Sequence, residues 1–114
     1  GTKKYGIIKP KSVSERIFRV EDLAEKPGPE KAYSDLAVIG RYVFTPGIFA
    51  AIRKTAPDPK GEIQLTDAIK FLLESEPVYG YVFEGIRYDA GDKLGFLQAT
   101  LNLARKRPEF KDRV

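Results

Sequence analysis

The sequence predicts an α/β fold, or α+β for this stretch taken alone, because strand-like runs come first and later strands are mixed with three helices. Three observations carry that class. Phe18 and Val20 alternate with Arg19 at strand spacing, whereas Leu94, Leu97, Leu101 and Ala104 repeat at helix spacing. Proline and glycine separate the runs. With 114 residues, 42% of them hydrophobic, the chain has material for one domain and a modest core.

In chain order, Tyr5-Gly6-Ile7-Ile8 is aromatic and β-branched, which predicts a strand ended by Pro10. The polar stretch Lys9 to Glu15 predicts a hairpin loop into a second strand, Arg16 to Val20. Glu25-Lys26-Pro27-Gly28-Pro29 opens a loop that proline and glycine keep out of helix. Leu36 to Phe44 is mostly apolar and predicts a longer strand, interrupted at Gly40-Arg41 and buried on both faces for part of its length. Thr45-Pro46 predicts a helix start, with Thr45 as N-cap, Pro46 at the first helical position and Ile48, Phe49 and Ile52 as the apolar stripe. A loop around Pro57-Asp58-Pro59 and Gly61 follows, then a helix from Leu65 to Glu74 with Ile69, Leu72 and Leu73 at helical spacing. Val78 to Phe83 predicts a strand, Gly85 a turn, and Ile86-Arg87-Tyr88 a short strand stopping at Asp89-Ala90-Gly91-Asp92. Asp92 is the expected N-cap of the last helix, Arg105, Lys106 and Arg107 occupy its last turn, and Pro108 ends it.

Composition excludes whole classes of chemistry. There is no Cys and no His, so disulfides, Cys/His metal sites, thiol nucleophiles and imidazole bases are absent from this chain. A metal must then sit on oxygen, which favours Mg²⁺, Mn²⁺ or Ca²⁺. The net charge of +4 is terminal: residues 1–20 carry +5 and 101–114 carry +3, while the middle carries −4. That is no basic stripe with interleaved aromatics, so nucleic acid is not the expected partner. No apolar run reaches the ~20 residues of a membrane span and no signal peptide opens the chain, so no membrane partner and a soluble, cytoplasmic protein are expected. The chain opens on Gly1 rather than methionine, so its natural start is expected upstream. Scattered single glycines make no phosphate-cradling loop at a helix start.

Three places have chemical potential. Glu25-Lys26-Pro27 follows a strand-like segment, held extended because a residue before proline avoids the α region; Lys26 there could hold a phosphate and Glu25 take sugar hydroxyls, or both could be a surface pair before a turn. Asp89-Ala90-Gly91-Asp92 puts acids at a strand–helix junction, where Asp89 could hold Mg²⁺ or both acids could serve the helix start. Gly61-Glu62-Ile63-Gln64-Leu65-Thr66-Asp67 precedes a helix that Thr66 or Asp67 could cap.

Taken in order, Lys4-Tyr5-Gly6-Ile7-Ile8, Leu23-Ala24-Glu25-Lys26-Pro27 and Leu36-Ala37-Val38-Ile39-Gly40-Arg41-Tyr42 resemble the bacterial UTP–glucose-1-phosphate uridylyltransferases. So do Gly61-Glu62-Ile63-Gln64-Leu65-Thr66-Asp67-Ala68, Glu76-Pro77-Val78-Tyr79 and Arg87-Tyr88-Asp89-Ala90-Gly91-Asp92-Lys93-Leu94-Gly95, and the likeness covers about residues 4 to 108. The resemblance implies the C-terminal part of a Rossmann-like, glycosyltransferase-A-like fold, with mixed sheet strands and three helices. It implies transfer of uridylyl from UTP to glucose 1-phosphate, giving UDP-glucose and pyrophosphate, with Mg²⁺ as cofactor and a homo-oligomeric assembly. It carries Glu25 onto the residue that binds the glucose hydroxyls, Lys26 onto the one that neutralises the sugar-linked phosphate, and Gly6 onto a backbone contact with the sugar. Asp89 falls on a metal-binding aspartate, and Val38 and Arg87 on the lining of the sugar pocket. Ala24 stands where the family often has Val, and Ala90 where Cys or Thr also occurs.

The same resemblance implies that the nucleotide-binding half, with its Gly-rich loop, uracil pocket and other metal aspartate, is absent, so residues 1–114 are expected to be a sugar-binding portion without activity of its own. A related transferase using another sugar or base, and a non-catalytic interaction module retaining the fold, are the alternative expectations.

Overall fold

The structure, a computed structural model, describes residues 5–114; Lys4, which opens the first run quoted above, lies outside them. The chain divides into two compact units, Gly1–Val82 and Phe83–Val114.

In the first unit β1 (Gly6–Ser12), β2 (Ile17–Glu25) and β3 (Tyr79–Tyr81) form an antiparallel sheet in the order β1-β2-β3. Two helices, α1 (Gly47–Lys54) and α2 (Leu65–Leu72), belong to the same unit. Both strands of the hairpin run further than expected, and Pro10 does not end β1. Lys9 faces Asp22 but Pro10 faces Val20, so Glu21 is an extra residue on β2 and the ladder has a bulge beside Pro10. A bulge is where a strand tolerates a residue without an N–H. It also resets the alternation: Phe18, Val20 and Leu23 all reach the core although strict period two would separate Leu23 from the other two. Beyond the bulge, alternation from Leu23 puts Glu25 on that same core-facing side, and Gly6 pairs with Glu25.

The core joins Ile8, Val20 and Leu23 of the sheet to Ile48 and Ala51 of α1 and Ala68, Ile69 and Leu72 of α2. Each large aliphatic side chain so buried contributes roughly 1.5–3 kcal/mol against leaving it in water. Asp22 adds a polar tie. Its carboxylate accepts from the Tyr33 hydroxyl at 2.6 Å and lies 3.7 Å from the Lys70 ammonium on α2. Burial alone would raise the Asp22 pKa, but the bonds from Tyr33 and the Leu23 N–H, with the charges of Lys70 and Lys9, hold it below its ordinary value.

Further expectations need correction in this unit. Leu36–Phe44 is not a strand: only Ala37 forms a bridge, to Ile7. The Arg41 N–H turns back to the Ile39 carbonyl, a tight turn at Gly40 that takes the chain off the edge of β1 before a ladder can grow. Helix α1 starts at Gly47 with Pro46 at the cap position, and the Thr45 hydroxyl donates to Glu76 at 2.5 Å instead of capping. Its buried residues are Ile48 and Ala51, while Phe49 is 63% exposed and Ile52 37%. The approach of Gly47 to Leu72 and Glu76, where a Cβ would meet atoms at 3.3 and 3.1 Å, sets that rotation. The strand expected over Val78 to Phe83 shrinks to Tyr79–Tyr81, the residues that face Ile17–Arg19.

The second unit is an irregular segment followed by α3 (Lys93–Arg105). Asp92 caps α3 as expected, its carboxylate accepting from the Gly95 N–H at 2.8 Å. Arg105 lies in the last turn and Lys106 takes the C-cap position. Ile86-Arg87-Tyr88 is not a strand; no described strand pairs with it, and Gly85 at φ +137° bends the chain just before it. Leu94 and Leu97, which share a helix face with Leu101 and Ala104, are exposed; within the unit no second helix or strand packs on α3. Among the described residues no helix is long and apolar enough to cross a membrane.

Candidate active site

In the first unit the end of the β1–β2 pair gathers four of the expected site residues. Gly6 and Glu25 are direct partners in the ladder, Lys26 follows, and the Val38 N–H donates to the Gly6 carbonyl at 2.8 Å. Val38 is half-buried, its side chain packed against the core cluster. Lys26 is exposed and its N–H donates to the Tyr5 carbonyl at 3.0 Å, extending the pairing by one bond. The expected extended geometry does not hold there. Lys26 has φ +48°, the left-handed region, at a cost of about 1 kcal/mol for a residue with a Cβ. Proline after it disfavours the right-handed α region, and the left-handed turn takes the chain off the end of the sheet at once.

Helix α2 brings a residue from 41 positions away onto this end of the sheet. The Thr66 hydroxyl donates to Glu25 Oε2 at 2.5 Å, and Thr66 is only 5% exposed. Thr66 or Asp67 is the expected helix cap; instead Gln64 occupies the cap position with no side-chain bond. Gly6 makes room for the pair: a Cβ there would meet Thr66 Oγ1 at 2.8 Å and Glu25 Oε2 at 3.1 Å. Tyr42 completes the surroundings of Glu25. Its ring stacks on Phe44 at 5.2 Å, and burial together with the Glu25 charge raises its phenol above the ordinary value, so it stays protonated. Sequence reasoning missed Thr66 as a partner of Glu25, and it missed Tyr42. No local pattern signals either contact, although both residues lie in runs that carried the family resemblance.

The loop that delivers α2 is built on Asp58. Its carboxylate accepts from the Gln64 side-chain amide at 2.9 Å and from the N–H groups of Glu62 at 2.9 Å and Lys60 at 2.8 Å. These bonds, the one from Gln64 foremost, hold its pKa below the ordinary 3.8. The sign follows from linkage: the contribution is full above the unfolded value and is lost as pH falls through the lower folded one. Melting curves from about pH 6 to about pH 2 should therefore show a shallower acid loss of stability in Asp58→Asn than in the parent. An unchanged acid limb would mean that the loop does not depend on this charge.

Arg87 and Asp89 belong to the second unit, and Arg87 is exposed. Asp89 is half-buried, and its Oδ1 accepts from the Gly91 N–H at 2.9 Å, closing the turn into α3. Among the described residues its Oδ2 accepts no hydrogen bond. Mg²⁺ commonly takes one or two carboxylates and fills its shell with phosphate and water, so this donor fits such an ion as one contributor. No cluster of three or more acidic side chains occurs among the described residues. Gly95 is buried against the Asp89 backbone, and a Cβ there would fall on the Asp89 carbonyl oxygen.

The chain as a whole is similar to known proteins. UTP–glucose-1-phosphate uridylyltransferase of Streptococcus pneumoniae serotype 4 is 48% identical over 109 residues, which cover 95% of this chain and 36% of that protein. The enzyme of the same name from Bacillus subtilis is 47% identical over 113 residues, 99% of this chain and 39% of that one. Among solved structures, a UDP-glucose pyrophosphorylase complexed with UDP-glucose matches 93% of this chain and 40% of its own, with TM-score 0.86 and 40% identity. A UTP-bound UGPase from Acinetobacter baumannii matches 96% of this chain and 37% of its own, with TM-score 0.79 and 33% identity. The chain thus spans well under half the length of these relatives, and its α/β fold is theirs over that span. The nucleotidyl transferase family model matches residues 1–106, nearly the whole sequence. With that match the chain belongs to the nucleotidyl transferase family.

Proposed function

We propose that this chain is the sugar-phosphate-binding portion of a uridylyltransferase that makes UDP-glucose and pyrophosphate from UTP and glucose 1-phosphate. The carrying observation is the convergence of Gly6, Glu25 and Lys26 at one end of the β1–β2 pair, in a chain whose relatives at 47–48% identity bear that name. On this reading the rest of the protein supplies the loop for the UTP phosphates, the uracil pocket and a second metal-binding aspartate. A cytoplasmic location, where both substrates are made, belongs to the same reading. So does a homo-oligomer, which the exposed Leu94 and Leu97 of α3 support.

The chemistry needs positioning and charge neutralisation more than a covalent nucleophile. A phosphate oxygen of glucose 1-phosphate forms a bond to the α-phosphorus of UTP, and the bond from that phosphorus to the β-bridging oxygen breaks. Pyrophosphate leaves with the electron pair. The attacking oxygen is already anionic, so no general base is required, and a chain without His or Cys suffices. Glu25 accepts sugar hydroxyls, and the Gly6 backbone and Val38 bound the sugar; for Arg87, in the second unit, the sugar-lining role rests on the family resemblance. The Lys26 ammonium neutralises the sugar-linked phosphate as a point charge. Asp89 would hold Mg²⁺, which when bound neutralises charge on the phosphates.

The test is pyrophosphate release by the complete protein with UTP and glucose 1-phosphate, beside dTTP and beside galactose 1-phosphate and N-acetylglucosamine 1-phosphate. The expected preference is UTP with glucose 1-phosphate, and residues 1–114 alone should release none. A different preferred pair would make the protein a sister transferase. No release from any pair by folded protein would make it a non-catalytic module.

A further inference from the structure

From the Glu25–Thr66 pair we infer that Thr66 is a positioning residue, one that presets the Glu25 carboxylate to accept a hydroxyl of the sugar phosphate. The inference rests on the reading of Glu25 as a sugar ligand.

A glutamate at the end of a strand has three side-chain torsions to lose before it can present an oxygen at a fixed point. Here the loss is taken before a ligand arrives. The bond from the Thr66 hydroxyl to Oε2 has a carboxylate as its acceptor, and such charge-assisted bonds are among the stronger hydrogen bonds. The donor is itself fixed. Thr66 is β-branched, so few rotamers are open to it in a helix, and its helix is anchored by the buried Ala68, Ile69 and Leu72. Gly6, with no Cβ, lets the two side chains meet beside β1. Among the described residues Oε1 accepts no hydrogen bond, so one oxygen is held and the other is left to take a ligand donor. A helix cap would not require any of this: the first turn of α2 has no side-chain cap, and the hydroxyl points across to the sheet.

The test uses steady-state kinetics of the complete protein with Thr66→Val, Thr66→Ser, Glu25→Ala and the Thr66→Val/Glu25→Ala double variant. Thr66→Val keeps the shape and removes the donor. It should raise KM for glucose 1-phosphate about tenfold, with KM for UTP unchanged. Thr66→Ser, which restores a hydroxyl, should return the sugar-phosphate KM to within about threefold of the parent. Adding Thr66→Val to Glu25→Ala should have no further effect on that KM. Equal changes in both KM values, or a failure of serine to rescue, would overturn the positioning role and leave Thr66 a packing residue. If Glu25→Ala raises the sugar-phosphate KM and Thr66→Val does not, the positioning role falls while the sugar-ligand reading stands. If Glu25→Ala changes nothing, both fall.

Discussion

Replacing Asp89 by alanine in the complete protein will cut pyrophosphate release from UTP and glucose 1-phosphate about 10³-fold, the size expected when several kcal/mol of charge stabilisation are lost. On the proposed reading Asp89 does two things that one substitution confounds. Its Oδ1 closes the turn into α3 by accepting the Gly91 N–H, and its charge with the uncommitted Oδ2 is what a Mg²⁺ ion would use. Asparagine separates them, because its side-chain carbonyl can still accept from Gly91 while the charge is gone. Asp89→Asn should therefore melt within about 0.5 kcal/mol of the parent, whereas Asp89→Ala loses about 1 kcal/mol with the turn bond. Both should be nearly inactive, and raising Mg²⁺ should recover part of the activity in Asp89→Asn. An active Asp89→Asn would reduce Asp89 to a turn residue and remove the metal role from this chain.

How much of this could be read from the sequence depends on how far each residue's partner lies along the chain. Asp92 was legible as the cap of α3 because its partner, Gly95, is three residues away. The inward Phe18 and Val20 were legible for the same reason, since alternation is local. The bulge at Glu21 was not, because it exists only in the pairing of β2 with β1, yet it decides that Leu23 and Glu25 face the same way as Val20. Leu36–Phe44 has strand composition but sits at an edge where one bridge to Ile7 is all the turn at Gly40 allows. Thr66 is one of two cap candidates by local pattern and yet serves Glu25, whose position relative to α2 only the tertiary packing sets. Glu25, Lys26 and Asp89 were each ambiguous on local physics; family resemblance, not pattern, singled them out.

Gly95→Ala should be the most damaging single-methyl change in α3, against the direction that helix propensity alone dictates. Alanine in a helix interior is favoured over glycine by about 1 kcal/mol, and Gly95 lies in the first turn of a 13-residue helix. Packing opposes that gain. The new Cβ would fall on the carbonyl oxygen of Asp89 and crowd Asp92 Oδ2 at 3.1 Å, and the first of these is backbone that no rotamer change can move. Relief requires either the first turn of α3 to unwind, losing the cap bond from Gly95 N–H to Asp92, or the Asp89 backbone to shift. Overpacking of this kind costs roughly 1–3 kcal/mol or more, so the net change should be a destabilisation of about 2 kcal/mol. A displacement near 1 Å of a group that positions reactants costs about 10²-fold in rate, so pyrophosphate release should fall by that order even below the melting temperature. Gly40→Ala is the control, because a Cβ there meets nothing within 4 Å. Thermal melts and pyrophosphate release of the two variants decide the matter. If Gly95→Ala melts no lower than Gly40→Ala and keeps its rate, helix propensity has won, and the contact between α3 and Asp89 does not hold that carboxylate in place.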